Sequence, residues 1–313
     1  MGGPASGRGT VLDVTAALPP LSPGSVLVHG VLDPTALLLT FAAGLAYARG
    51  IRRLARRGRR WARGRTAAFY AGLAMLLVAT SSGIAAYDTE RFSMHVLQHA
   101  LLGIVGPALM ALGAPVTLLL QASTRSTQTN VIRVLHSRPA RTISHPVVVW
   151  LAFGLSLFVL YFSPIYEWSL RNDVAHAWVH LHFIVVGSLF FWITIGVDPA
   201  GRRISHGARL LLVLLTVPFH AFLGLALSSS TTPIAMDWYA SVGRSPAEAL
   251  ADQQAGAAIM WLVGDLVGVV AGLVIALDWF HLDQRRARRL DRRLDLAEAA
   301  LASGAPGSPG STA

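Results

Sequence analysis

The sequence contains no cysteine, which excludes a disulfide framework, a thiol nucleophile and a thiolate ligand for any metal. Lysine is absent as well, so all 26 basic residues are arginine; that bias carries no mechanistic reading. Acidic residues number only 16, giving a formal charge of +10, yet just 13% of residues are charged and 53% are hydrophobic. No polar, patterned stretch is long enough to fold as a water-soluble domain, and there is no tandem repeat. No serine, cysteine or metal-hydrolase signature of recognised spacing occurs, so a catalytic enzyme is not expected. What remains is a series of apolar runs long enough to cross a hydrocarbon core of about 30 Å, separated by blocks of arginine. Charge arranged in this way marks the loops of a membrane protein and not a nucleic-acid footprint.

Seven spans are expected, at 31–48, 67–87, 94–120, 146–166, 175–197, 208–228 and 255–277. Twenty-two arginines fall on one alternating set of connections: 49–65, 121–145, 198–209 and the segment after the last span. Only Arg8, Arg91, Arg171 and Arg244 fall on the other set. The positive-inside rule then predicts an all-α, polytopic membrane helical bundle with its N-terminus outside and its C-terminus cytoplasmic. Residues 1–30 read as a Gly/Pro-rich extracytoplasmic segment without the pattern of a cleaved signal peptide, and 31–280 as the membrane domain. Residues 281–313 read as an Arg-rich helix at the cytoplasmic lipid surface followed by a disordered tail. The stretch 128–136 is expected in the interface in the same way, and Ser245–Pro246 is expected to open a short helix ahead of the last span.

Five of the eleven histidines lie in or beside the outer halves of the spans. His95 and His99 are four apart at the start of the third span and therefore share a helix face, and His176 and His180 repeat this at the start of the fifth. His220, in the sixth, is expected at the same depth. His182 points to another sector of its helix and is left out. Ionisable side chains inside a bilayer face the bundle interior and often mark ligand or proton sites. Imidazole suits copper, zinc, iron and nickel, while thioethers favour cuprous copper, so Met94 and Met260 join as soft contacts. The competing reading of each imidazole is a hydrogen bond to a backbone or hydroxyl group in a packed bundle, and that of each methionine is ordinary packing. Asp265 is expected to reach another helix, one position round from a ridge formed by Gly264, Gly268 and Gly272. Gly106, Pro107, Gly113 and Pro115 predict a bent third span. The acidic outer loop 229–254, with Tyr87–Arg91 and Tyr166–Asp173, reads either as a solvated face or as a gathering point for a cation.

Several segments together resemble the CtaG-type cytochrome c oxidase assembly factors of bacteria. They are FSMHVLQHALLGIVGPALMALGAP at 92–115, HP at 145–146, PIY at 164–166, HAWVHLHF at 176–183 with GSLFFWITIGVDP through 199, VPFHAFLGLAL at 217–227 and DQQAGAAIMWLVGDLVG at 252–268. The likeness covers roughly residues 28–280, and its matched polar residues are His95, Gln98, His99, His176, His180, His220, Asp252 and Gln253. Val179 stands where the family pattern leads one to expect an acidic residue. Some relatives are fused to a copper-resistance type membrane domain, for which these residues leave no room. The resemblance implies a multi-pass protein of the bacterial cell membrane that assists assembly of heme-copper cytochrome oxidase and formation of its copper centre. It would hold Cu(I) at the outer-leaflet His cluster or brace an oxidase subunit. Oxidase subunits, an extracytoplasmic copper chaperone and membrane lipid are the implied partners. Two alternatives remain open at this point: a membrane cytochrome whose interhelical histidines ligate haem, and a metal or proton transporter with Asp265 as a gating carboxylate.

Overall fold

The computed structural model describes residues 30–199 and 204–302 together with Ser22 and Gly24, and these are helices and turns without a strand. Most of the expected N-terminal segment 1–30, Arg202, Arg203 and the tail beyond 302 lie outside the described residues. Six helical stretches are long and apolar enough to cross a membrane: 34–56, 63–87, 92–122, 173–195, 206–228 and 246–299. A seventh crossing is made by the pair 146–161 and 165–171, bent by 71° between them, if that pair is one span.

Helix α1 (Pro34–Arg56) starts where Asp33 accepts hydrogen bonds from the amides of Thr35 and Ala36, with proline in the first turn. It runs well past the expected end at 48, because Arg49–Arg56 contain no proline, Gly50 is held against Leu118, and the chain turns only at Gly58, whose φ is +70°. Helix α2 (Arg63–Ser81) is interrupted at Ser82, whose hydroxyl caps the short α3 (Gly83–Tyr87). The third crossing is interrupted beside its prolines. Helix α4 (Phe92–Ala100) widens into a π turn over Leu101–Val105, followed by α5 (Gly106–Leu112) and, after Ala114 at φ 50°, α6 (Pro115–Ala122). Pro107 has no N–H to give the carbonyl of Gly103, and the π turn closes the chain instead through Gly106 N–H to Leu101 O.

Two exposed helices, α7 (Arg125–Leu135) and α8 (Arg138–Ile143), follow. Then come α9 (Pro146–Tyr161), α10 (Ile165–Arg171) and the long α11 (Asp173–Ile195), capped by Asn172 and ended by Gly196 at φ +65°. The sixth crossing divides into α12 (His206–Leu214) and α13 (Thr216–Ser228), as Pro218 denies the Leu214 carbonyl its helical partner. A turn of helix, α14 (Met236–Ser241), leads to α15 (Pro246–Ala302).

Helix α15 corrects two expectations. The short helix ahead of the last span and the surface helix behind it are one continuous helix of 57 residues. At 1.5 Å per residue that is about 85 Å, far more than a bilayer core requires. No glycine or proline occurs between Leu273 and Ala302, and alanine, leucine and arginine carry the helix on.

The bundle has two ends. Arg57 donates to the carbonyls of Gln121 and Ser123, and a cavity of about 960 Å³ is lined by His136, Asp198, Arg209, Trp279 and Arg286, so the Arg-rich connections meet at one end. At the other, Trp238 donates to Thr89 O, Arg244 pairs with Glu90, and Arg171 lies 5.5 Å over the Trp238 ring. The glycine ridge of α15 packs as expected on the sixth crossing, Gly264 against His220, Gly268 against Val217 and Gly272 against Leu210.

Candidate metal centre

Residues His95, Val96 and His99 of α4 sit on the inward face of a helix whose first turn is tied down from across the bundle. The Asp252 carboxylate of α15 accepts from the Ser93 amide at 3.1 Å and from its hydroxyl at 2.6 Å. Next to it, Gln253 accepts from Ile234 N–H and donates to Leu227 O, fastening the outer loop to the same helix. These two family-matched residues are therefore anchors for the helix and loop around the centre.

Helix α11 comes unusually close to α4. A Cβ placed on Gly187 would lie 2.0 Å from the carbonyl oxygen of Gly103, the one Pro107 leaves without its usual donor. Only glycine permits this contact, and it draws the two helices together one to two turns from His99 and His180. The imidazoles consequently pack ring on ring. His95 and His99 have centroids 4.1 Å apart, His176 and His180 4.3 Å, His95 and His176 5.2 Å in a near-parallel stack, and His99 and His180 5.5 Å.

The hydrogen-bond partners of these rings are few. Neither nitrogen of the fully buried His95 has one, nor does Nε2 of His99 or of His176. His99 Nδ1 lies 3.3 Å from the Tyr161 hydroxyl, and His180 Nε2 lies 2.9 Å from Gln98 Oε1. Gln98, itself buried, donates to Ala79 O. Ligand atoms of His95, His99 and His176 all fall within 4.8 Å of one another, and so do those of Asp88, His176 and His180. Each buried polar atom left without a partner costs about 1–3 kcal/mol, so a nest of them in an apolar bundle is a form of readiness for an ion that would satisfy them.

Asp88 is a candidate ligand that the sequence did not single out. Its carboxylate lies 3.8 Å from His176 Nε2 in the turn between α3 and α4, and burial pushes its pKa up to about 7, against a hydrogen bond from Gln98. Val179, where the family pattern leads one to expect an acidic residue, packs on the neighbouring apolar cluster. The only sequence signal of Asp88 was membership of the acidic outer segment Tyr87–Arg91, because the turn between α3 and α4 breaks the helical spacing that would have aligned it with His95.

The remaining candidates sit elsewhere. His220 is buried in the sixth crossing, its Nδ1 on Thr216 O and its ring beside Phe153 and Gly264, within electrostatic reach of Asp265 and apart from the four clustered rings. Equal depth did not bring it in, since the break at Leu215 turns this ring toward α9 and α15. Asp265 keeps one buried oxygen without a partner. Met94 is half-buried and turned about 100° round the helix from His95. Met260 is buried and lines, with His99, Tyr161 and Phe183, a cavity of about 20 Å³, room for one water-sized occupant.

Fold and site together define a multi-pass membrane helical protein with a buried histidine–carboxylate cluster able to hold a metal ion. The chain belongs to the cytochrome c oxidase caa3 assembly factor family (Caa3_CtaG), whose model matches residues 45–281. It is 34% identical over 259 residues to the uncharacterized proteins Mb0105 of Mycobacterium bovis and MT0111 of Mycobacterium tuberculosis, covering 80% of this chain and 39% of each relative. It is likewise 34% identical over 272 residues to the uncharacterized protein ML1998 of Mycobacterium leprae, covering 84% of this chain and 41% of that one. The chain thus spans about two fifths of the length of these curated relatives. No solved structure matches it.

Proposed function

We propose that this protein holds copper, as Cu(I), at the His95–His99–His176 cluster for insertion into a heme-copper oxidase. The observation that carries this reading is the convergence of three imidazoles within 4.8 Å, four of whose nitrogens are buried without partners. Neutral imidazole is a good copper donor, and with no thiolate in the chain the metal is held without the grip of a sulfur cage. Met260, in the cavity beside His99, is the soft donor on the route away from the cluster. With the Arg-rich end taken as cytoplasmic and the N-terminus outside, the cluster lies toward the outer leaflet, where an extracytoplasmic copper chaperone and the oxidase subunits would meet it.

The two alternatives fit the packing less well. The stacked imidazoles touch one another, Tyr166 and Phe183, which leaves no slot for a planar macrocycle between any pair. Toward the Arg-rich end the helices close over an apolar cluster that includes Ile104, Phe153, Phe190, Phe191 and Ile275, a plug that disfavours a conduction path.

Anaerobic titration of purified protein against a Cu(I) chelator should show close to one copper retained per chain; none retained would sink the reading. Reporter fusions at 58, 130 and 290 should behave as cytoplasmic and one near 245 as external. An external signal at 58 would invert the map.

A further inference from the structure

Resting on that reading, we infer that Asp88, His176 and His180 form a second, more accessible metal position that shares His176 with the buried one, so that an ion is handed inward without leaving His176. The two sets of ligand atoms each fit within 4.8 Å, and His176 is the one residue common to both. Shared ownership means that the two positions are filled in turn and never together.

Burial orders them. His95 and His99 are sealed among Phe92, Val96, Tyr166 and Phe183, whereas His176 and His180 are only partly buried and stand nearer the surface. Asp88 sits outside the spanning segments, in the turn at the histidine end, next to Thr89 and Glu90, where the outer loop is fastened by Trp238 and Arg244. Asp88 is itself buried, so an arriving cation meets the partly exposed His176 and His180 of this position before the all-imidazole one. The chemistry follows the same order. A carboxylate oxygen is a hard donor that attracts a partly hydrated cation by charge, while three imidazoles with Met260 beyond them suit a dehydrated, softer ion. Gln98 ties the outer set together, accepting from His180 Nε2 at Oε1 and donating to Asp88, so these ligands are held in place by a buried side chain of the helix that carries the inner pair. No change of oxidation state is needed, only ligand exchange: Asp88 and His180 leave as His95 and His99 bind.

The test uses the full chain in nanodiscs with Cu(I) delivered from a weak chelator complex under anaerobic conditions. D88N should still retain one equivalent but load about tenfold more slowly, and H180Q should behave alike. H95A should keep a weakly held ion, readily lost to a competing chelator, whose X-ray absorption shows an oxygen among its ligands; wild type should show nitrogen without that oxygen. D88N loading at the wild-type rate would overturn the second position, and so would D88N losing all binding as a single indivisible site requires. Thermal unfolding of each variant separates misfolding from loss of a ligand, and if D88N does not fold, the ligand set of H95A decides: an ion bound by nitrogen alone overturns the proposal. Failure of wild type to retain any copper would overturn the parent reading, a result distinct from normal retention with unaltered loading.

Discussion

Near the histidine end, α4 and α11 turn four imidazoles toward each other; toward the Arg-rich end, α5 and the second half of α11 face one another through Ile104, Ala108, Phe190 and Phe191. The same crossings thus build a polar centre in one half and a closely packed apolar plug in the other, where Phe153 stacks on Phe190 at 4.2 Å. Four partnerless imidazole nitrogens in the first half cost several kcal/mol at about 1–3 kcal/mol each. The second half offsets this through close van der Waals packing, the interaction that holds helices together in lipid, where no gain from leaving water is available. Burial of groups that want a ligand is tolerable only where the rest of the bundle is rigid enough to hold them open. The Gly103–Gly187 contact is the seam between the halves, and it fixes the helix spacing for both.

Four comparisons would break or sharpen this contrast. The largest effect is expected for H99A, which should lower Cu(I) retention at least 100-fold in chelator competition, while V149A in the plug leaves retention unchanged and lowers only stability. Equal loss of metal in both would erase the distinction between the halves. Next is G187A, whose methyl group would meet the Gly103 carbonyl; a loss of about 3 kcal/mol in detergent unfolding is expected, against less than about 0.5 kcal/mol for G268A, where the nearest atom is 3.7 Å away.

The pH dependence of the metal-free protein comes third. Asp88 titrates near 7 when folded and near 3.8 when unfolded, so between these values the folded state binds the extra proton. Stability contributed by this group is present in full below about pH 4, declines as pH rises, and is gone above about pH 7, a change on the order of a few kcal/mol. D88N should flatten that slope in thermal midpoints measured from pH 4 to 8; an unchanged slope would place its origin elsewhere. The smallest effect is expected for D252N, which weakens the anchor on Ser93 at the start of α4 and should cost about 1 kcal/mol. Its copper loading should slow less than that of D88N, since Asp252 holds the helix and not the ion.

The helical class, the places of the crossings and the two histidine pairs were legible because each depends on local pattern. Apolar run length sets a span, arginine blocks mark one set of connections, and a separation of four puts two rings on one face. The pairs at 95/99 and 176/180 needed nothing more than this spacing to be singled out. Met260 was expected near the depth of His220, and the structure sets it with His99 on the small cavity. The same depth argument fails for His220, because depth places a residue along the membrane normal and leaves its direction round the helix open, and the break before Thr216 sets that direction.

By itself, then, the sequence determined a polytopic helical bundle, the sorting of arginine onto alternate connections, and which faces of α4 and α11 carry imidazoles, all of them consequences of hydrophobic run length and the 3.6-residue repeat. Tertiary structure alone decided that Asp88 enters the cluster, that His220 stays outside it, and that Asp252 and Gln253 serve as anchors. Each of these turns on contacts between segments distant in the chain, or on how a turn or break redirects a helix. Such contacts depend on the close approach of backbones, as at Gly103 and Gly187, which no local pattern encodes.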